Sequence, residues 1–220
     1  MREIITWKRV SKHENVADFL GIYRAPNEPS HLVMPFYKNN NFLQYMERRP
    51  DERLARAKDI VRGLDNLHGY GVIHGDLKTD NILISDDGRA QIADFGVAVI
   101  SELQGFTTAA DRNVRHSAPE LTPLTESLPI KPTKGSDIFS LGILFLQLFD
   151  GRVDCLPYNH VPLTRRDPGD TELLKRIHGG DRPRRANYQN ISDYQWDVIA
   201  ACWVADPAAR PTIQALRSWL

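Results

Sequence analysis

Asp76 stands five residues before Asn81 and eighteen before Asp94, and this spacing constrains the fold more than any other feature of the chain. Between Asn81 and Asp94 the sequence reads as two short strands, 82–84 and 90–93, with Asp86-Asp87-Gly88 as their hairpin turn. The run His74-Gly75-Asp76-Leu77-Lys78-Thr79-Asp80-Asn81 and the later Asp94-Phe95-Gly96 then fall on short, strand-flanked loops. Taken singly, each of these residues is an ordinary turn former, and HGD or DFG alone carries little information. The ordered spacing defeats that bland reading.

The residue types suit one kind of chemistry. Asp76 can accept a proton from a hydroxyl nucleophile. Asn81 and Asp94 offer oxygen ligands suited to Mg²⁺, which takes a few protein oxygens together with phosphate oxygens. Lys78 can neutralise charge on a transferring phosphoryl group. Together they are the parts of metal-assisted phosphoryl transfer.

The rest of the chain supplies an α+β frame. Residues 1–12 read as a helix with Ile4, Trp7 and Val10 on one face. Residues 16–23 and 31–36 read as short strands, separated by the turn-forming 25–30 segment. A short helix ends near Met46, and a longer one from Asp51 to about His68 should bury Leu54, Ala57, Val61, Leu64 and Leu67. A further short strand is expected at 72–74 and a polar loop at 97–117. Helices are expected at 137–149, 170–178, 192–203 and 211–219.

Composition narrows the setting. The 28 basic and 28 acidic residues cancel, which argues against a nucleic-acid or membrane partner held by bulk charge. The longest apolar run, 141–149 with Gln147 inside it, is far shorter than the roughly 20 residues of a membrane span. The first residues lack a signal-peptide layout. The two cysteines, Cys155 and Cys202, form no CxxC pair, so reduced thiols and a cytoplasmic location are expected. At 220 residues the chain has the length of one domain or two small lobes.

In its motifs the chain resembles the eukaryotic protein kinases from Glu3 to the last residue. The Asp76, Asn81 and Asp94 spacing matches the catalytic-loop and DFG signatures, and Ala118-Pro119-Glu120 matches the APE element. The 136–142 segment SDIFSLG looks like the start of the central buried helix of the large lobe. Cys202-Trp203, Asp206-Pro207 and Arg210-Pro211 look like the late CW..DP..RP signature.

The resemblance implies ATP and Mg²⁺ as cofactors, with Asp76 as catalytic base, Lys78 on the γ-phosphate and Asn81 and Asp94 as metal ligands. It implies Glu3 as the helix C glutamate, Met34 as gatekeeper, Pro35, Phe36 and Tyr37 as the hinge that meets adenine, and Leu83 as the floor of the adenine pocket. It further implies a buried Glu120–Arg210 ion pair. Trp7, Phe19, His74 and Phe95 fall where an active kinase builds its stacked apolar spine, although plain core packing accounts for them equally. Lys78 in the DLKxxN pattern favours serine or threonine over tyrosine as acceptor, and the CW..DP..RP ending points to the tyrosine-kinase-like group.

The chain also departs from the family. A kinase reaches its helix C glutamate after a glycine-rich hairpin and a lysine-bearing strand, on the order of 25 residues. Here only Met1 and Arg2 precede Glu3, no GxGxxG occurs, and Lys8, Lys12 and Lys38 all follow Glu3. The expected architecture is therefore a truncated small β lobe, helix C plus two strands, on a mostly helical large lobe, with 1–37 as a partial N-lobe and 38–220 as the C-lobe. Gly75 replaces a common arginine, which weakens Thr107 and Thr108 as loop-phosphorylation switches. Asn113 replaces a threonine near the base, and His116-Ser117 replace an aromatic-apolar pair, in the segment where a peptide substrate would dock. The link from Glu120 to Asp137, with Pro123, Pro129 and Pro132, is a few residues longer than usual.

The expected function is ATP-dependent phosphorylation of a serine or threonine hydroxyl on a protein substrate, impaired in this chain. One alternative is a pseudokinase-like interaction module with a regulatory protein partner. A distant one is a small-molecule kinase of the aminoglycoside or choline type, which Gly75 permits but Lys78, the DFG, the APE and the C-terminal signature oppose. The cluster Arg182, Arg184 and Arg185 reads as a solvated loop, and His13 and His160 lack partners at zinc-ligand spacing.

Overall fold

The computed structural model describes residues 2–26, 30–39, 41–100, 113–124, 131–162 and 171–220. Helix α1 (Arg2–Val10) leads into a β-hairpin of β1 (Gly21–Tyr23) and β2 (His31–Val33), antiparallel with Gly21 opposite Val33. Helix α2 (Phe42–Glu47) and a 3₁₀ turn (Pro50–Glu52) precede the long α3 (Arg53–Gly69). Strand β3 (Val72–Ile73) pairs antiparallel with β6 (Val99–Ile100), and β4 (Ile82–Ile84) with β5 (Ala90–Ile92). Helices α4 (Lys134–Asp150), α5 (Thr171–His178), α6 (Asp193–Cys202) and α7 (Ile213–Trp219) complete the body. The mixed α+β architecture is the one the sequence leads to.

Helix α4 is the axis of the core. Every residue from Ser136 to Asp150 is buried, the pattern of a helix apolar around its whole circumference. It begins three residues earlier than the apolar pattern suggests, because Thr133 and Ser136 cap each other's backbone amides at 3.1 and 2.9 Å. Gly142 lets the turn after α6 press against it: a Cβ there would lie 2.6 Å from Trp203 Nε1. Helix α3 packs against α4, α7 and β5, with Ala57, Val61, Leu64 and Leu67 buried as expected. Leu54 is the exception, 47% exposed, since it sits in the first helical turn beyond the packed surface.

Two strand expectations need correction. Within 16–23 only Gly21–Tyr23 is hairpin strand. Its beginning is drawn to β5 instead: Ala17 N donates to Ile92 O at 2.9 Å, and Ile92 N donates to Asn15 O at 3.0 Å. This link ties the segment after α1 to the end of β5, two residues before Asp94. Within 31–36 the strand stops at Val33, before Pro35, which has no amide to donate. The 97–117 segment is also not all loop, because Val99 and Ile100 form β6, two residues too few to stand out by pattern. Thr107, Thr108 and Pro129 lie outside the described residues, as does part of the 25–30 turn.

Candidate functional site

The predicted catalytic residues converge through short polar contacts. Asp76 Oδ2 accepts from Lys78 Nζ at 2.6 Å and from Asn81 Nδ2 at 3.2 Å, and the same Asn81 nitrogen reaches the Asp76 carbonyl at 2.8 Å. Asn81 is tied in turn to the strand end that carries Asp94, its carbonyl accepting from Ala93 N at 2.9 Å. His74 closes the circuit. Its Nδ1 accepts from Asp76 N at 3.3 Å, so the ring hydrogen sits on Nε2, which donates to Ala93 O at 3.0 Å. Asp94 has φ +65°, a left-handed conformation that aspartate tolerates better than bulkier residues, and its Oδ1 accepts from Gly96 N at 3.1 Å.

Asp137, at the start of α4, anchors this loop. Its Oδ2 accepts from His74 N at 2.9 Å and from His68 Nε2 at 3.0 Å, and its Oδ1 accepts from Gly75 N at 2.9 Å. The carboxylate is 1% exposed, so three donors replace the water it has lost. Gly75 adopts φ +79°, and a Cβ there would meet Pro132 Cγ at 3.1 Å, which is why this position takes glycine here. Sequence reasoning placed Asp137 in the central helix without giving it this role, and it passed over His68. A charged residue in the first turn of an otherwise apolar helix was the available signal.

The four aromatic residues form one continuous column. Ring centroids are 5.4 Å apart for Phe19 and Trp7, 5.9 Å for Trp7 and Phe95, and 5.5 Å for Phe95 and His74. Trp7 is fixed further by donating Nε1 to Ala17 O at 2.6 Å. The column therefore runs from the β1 side through α1 and Phe95 to the loop that Asp137 holds. Glu3, one helical turn before Trp7 on α1, has its pKa raised, chiefly by burial and next by the like charge of Asp94, with the N-terminal amine opposing. Among the described residues no cation pairs with it.

In the 34–37 segment, Tyr37 donates its hydroxyl to Gln91 Oε1 at 2.6 Å, and Gln91 is the cross-strand partner of Leu83. Directly paired residues share a sheet face, so the hinge segment is brought to the face that Leu83 occupies. Ile82 and Ile84 turn into the core while Leu83 stays partly open, as a pocket floor requires. The Tyr37 ring is itself buried, which leaves its backbone rather than its side chain for a ligand. Met34 and Pro35 are half-buried, and Phe36 is 85% exposed.

The remaining candidates sort cleanly. Glu120 and Arg210 form the expected ion pair. The arginine cluster is not a solvated loop. Arg182 donates to the carbonyls of Trp203, Ile177 and Asp181, and Arg185 donates to those of Tyr188 and Ile191, leaving only Arg184 exposed. These guanidiniums satisfy loop and helix-end carbonyls that a charge-run rule does not see. His160 pairs with Asp181 at 2.9 Å, and His13 Nδ1 accepts from Asn15 N at 3.1 Å. Among the described residues no group of three or more His, Cys, Asp or Glu could hold a metal, and no helix is long and apolar enough to cross a membrane.

The donor set fits Mg²⁺ with a nucleotide. Asn81 spends its Nδ2 on Asp76 and keeps Oδ1 without a partner among the described residues, and Asp94 keeps Oδ2 likewise. Two hard oxygens are what a cation completed by phosphate and water needs from the protein.

The protein kinase domain family matches residues 1–219. The chain is 30% identical to Serine/threonine-protein kinase 12 of Arabidopsis thaliana, with 93% of this chain and 43% of that protein covered. It is 28% identical to human Receptor-interacting serine/threonine-protein kinase 1, covering 93% of this chain and 31% of that protein. It is 29% identical to Fibroblast growth factor receptor 1 of Xenopus laevis, covering 97% and 27%. The chain thus spans less than half the length of these relatives. With the loop geometry, the aromatic column and a family match over nearly every residue, this chain belongs to the protein kinase domain family.

Proposed function

We propose that the chain is a phosphotransfer domain that moves the terminal phosphoryl group of ATP to a serine or threonine hydroxyl of a protein. One observation carries this reading. Lys78 and Asn81 both occupy Oδ2 of Asp76, leaving Oδ1 to take the proton of an acceptor hydroxyl. Magnesium-bound ATP supplies the electrophilic phosphoryl group. Around it, Asn81 and Asp94 offer the cation two oxygens, Lys78 lies within reach of the transferring charge, and Leu83 with the hinge backbone receives the base. Lys78 in the DLKxxN pattern and the relatives named as serine/threonine kinases support the acceptor type, and the CW..DP..RP ending supports the tyrosine-kinase-like group. Two buried, unpaired thiols, Cys155 and Cys202, support a reducing compartment such as the cytoplasm.

A second reading, an interaction module with little or no turnover, is favoured by Glu3. Its half-buried carboxylate feels the like charge of Asp94, and no cation pairs with it among the described residues. Phosphoamino-acid analysis of a mixed protein acceptor after incubation with Mg-ATP separates the readings. Phosphoserine and phosphothreonine are expected. Phosphotyrosine alone would overturn the acceptor assignment, and no protein-bound phosphate would favour the interaction module.

A further inference from the structure

Immediately before Ala118-Pro119-Glu120, residues 113–117 form a compact turn. The Asn113 carbonyl accepts from His116 N at 3.0 Å, from Ser117 N at 3.1 Å and from Ser117 Oγ at 3.0 Å, while Asn113 Oδ1 accepts from Arg115 N at 3.0 Å. Two long side chains fasten this turn to the body. The Arg115 guanidinium donates to the carbonyls of Pro157, Tyr158 and Val161 at 2.9, 3.3 and 3.4 Å. His116 Nε2 meets Gln147 Oε1, on the central helix α4, at 2.9 Å.

The tautomer of His116 follows from its neighbour. Gln147 Nε2 donates to Cys155 O at 3.0 Å, so Oε1 is the face of the amide turned to His116 and must accept. His116 therefore carries its hydrogen on Nε2, and Nδ1 is a bare lone pair, buried and without a partner among the described residues. Adding a proton there creates a buried donor with nothing to receive it. Burial, the largest influence, lowers the His116 pKa. The Gln147 hydrogen bond and the charges of Asp80 and Asp76 oppose this, and Lys78 adds to the lowering. Gln147 on α4 bonds the ring directly, and the charges acting on it are those of Asp76, Lys78 and Asp80. Of the two side-chain anchors, His116 is the one whose charge can change in the mildly acidic range.

We propose that His116, held as one neutral tautomer by Gln147, is a positioning residue for the protein acceptor, and that its protonation loosens the 113–117 turn from its seat beside the catalytic loop. The inference rests on the phosphotransfer reading and deepens it. A protonated ring gains a second N–H and is drawn toward Asp80 and Asp76. The turn that would receive the acceptor moves with it, while the nucleotide contacts at the hinge and Leu83 are untouched.

Three proteins test it: wild type, His116→Gln and His116→Phe, each assayed for KM of acceptor peptide and of ATP across pH. In wild type the acceptor KM should climb as pH falls below the ordinary histidine range, while the ATP KM stays flat. His116→Gln can still donate to Gln147 but cannot take up a proton. It should keep a near-wild-type acceptor KM at neutral pH and lose the acid climb. His116→Phe leaves Gln147 Oε1 unpaired and should raise the acceptor KM on the order of tenfold at every pH. The same acid climb in all three proteins, or equal effects on both KM values, overturns the proposal. ¹⁵N NMR of the wild-type imidazole gives a readout independent of turnover: a neutral ring with hydrogen on Nε2 is expected, and a ring with hydrogen on Nδ1 overturns the pairing. If no variant transfers phosphate, the phosphotransfer reading and the acceptor role fall together, and the spectrum still decides the tautomer.

Discussion

Arg210 grips Glu120 with two parallel hydrogen bonds, Nη1 to Oε1 at 2.6 Å and Nη2 to Oε2 at 2.9 Å, from a side chain that is itself fully buried. It donates as well to Gly135 O at 2.8 Å and Val204 O at 3.0 Å and lies over the Phe139 ring at 5.1 Å. One guanidinium therefore joins the APE turn, the first turn of α4 and the loop before α7. Removing either partner should destabilise the fold by about 3–5 kcal/mol, because the other charge is left uncompensated. Arg210→Ala should be the milder change for the charge left behind, since the Glu120 side chain is 24% exposed and water can reach it, but it also loses both carbonyl contacts. Urea unfolding of Arg210→Ala and Glu120→Ala measures both.

Asp137 holds the catalytic loop by its backbone, so its loss should be felt there first. Asp137→Asn turns one acceptor oxygen into a donor facing either the Gly75 amide or the His74 amide and His68. A cost of about 2–3 kcal/mol is expected from hydrogen bonds to a charged group. Amide hydrogen exchange at His74 and Gly75 should accelerate more than exchange within α6. Equal acceleration throughout would mean that Asp137 only stabilises the whole.

The raised pKa of Glu3 gives a signed pH effect. Burial and the Asp94 charge raise it above its unfolded value, so the folded state holds the proton more tightly. Stability from this group is present at acid pH and is lost as pH rises through the raised pKa. Glu3→Gln should therefore stabilise the protein slightly at neutral pH, by less than about 1 kcal/mol given solvent screening, with no gain at acid pH. Thermal melts of the two proteins across pH read this difference.

Nucleotide binding by the 220-residue chain should be weak. The proposed nucleotide site pairs the 35–37 backbone with Leu83, but Phe36 is 85% exposed and Glu3 has no cation beside it among the described residues. A Mg-ATP titration followed by melting temperature should show little shift at micromolar nucleotide. A saturable rise there would contradict the expectation.

What the sequence revealed and what it hid have separate physical causes. The clustering of Asp76, Lys78 and Asn81 beside the strand end before Asp94 was legible because loop chemistry needs particular side chains at particular spacings. Helices α3, α6 and α7 were legible because one-sided burial imposes a period, and α4 because a helix buried all round reads as a continuous apolar run. The start of α4 was missed because Thr133 and Ser136 cap it with polar groups ahead of the apolar run. Strand β6 was missed because two residues carry no period. The role of Asp137 was passed over, and Arg182 and Arg185 were misjudged, for one shared reason: their partners are mainly backbone amides and carbonyls, which every residue has and no sequence pattern marks.

The central claim is that Asp76, with Oδ2 held by Lys78 and Asn81, is the base of a phosphotransfer site. Its most direct test is transfer of labelled terminal phosphate from millimolar Mg-ATP to a serine/threonine peptide mixture, comparing the chain with Asp76→Asn. Slow transfer by the chain, reduced at least about a hundredfold in Asp76→Asn, is the predicted result. Transfer at the same rate in both, or none in either, would contradict it.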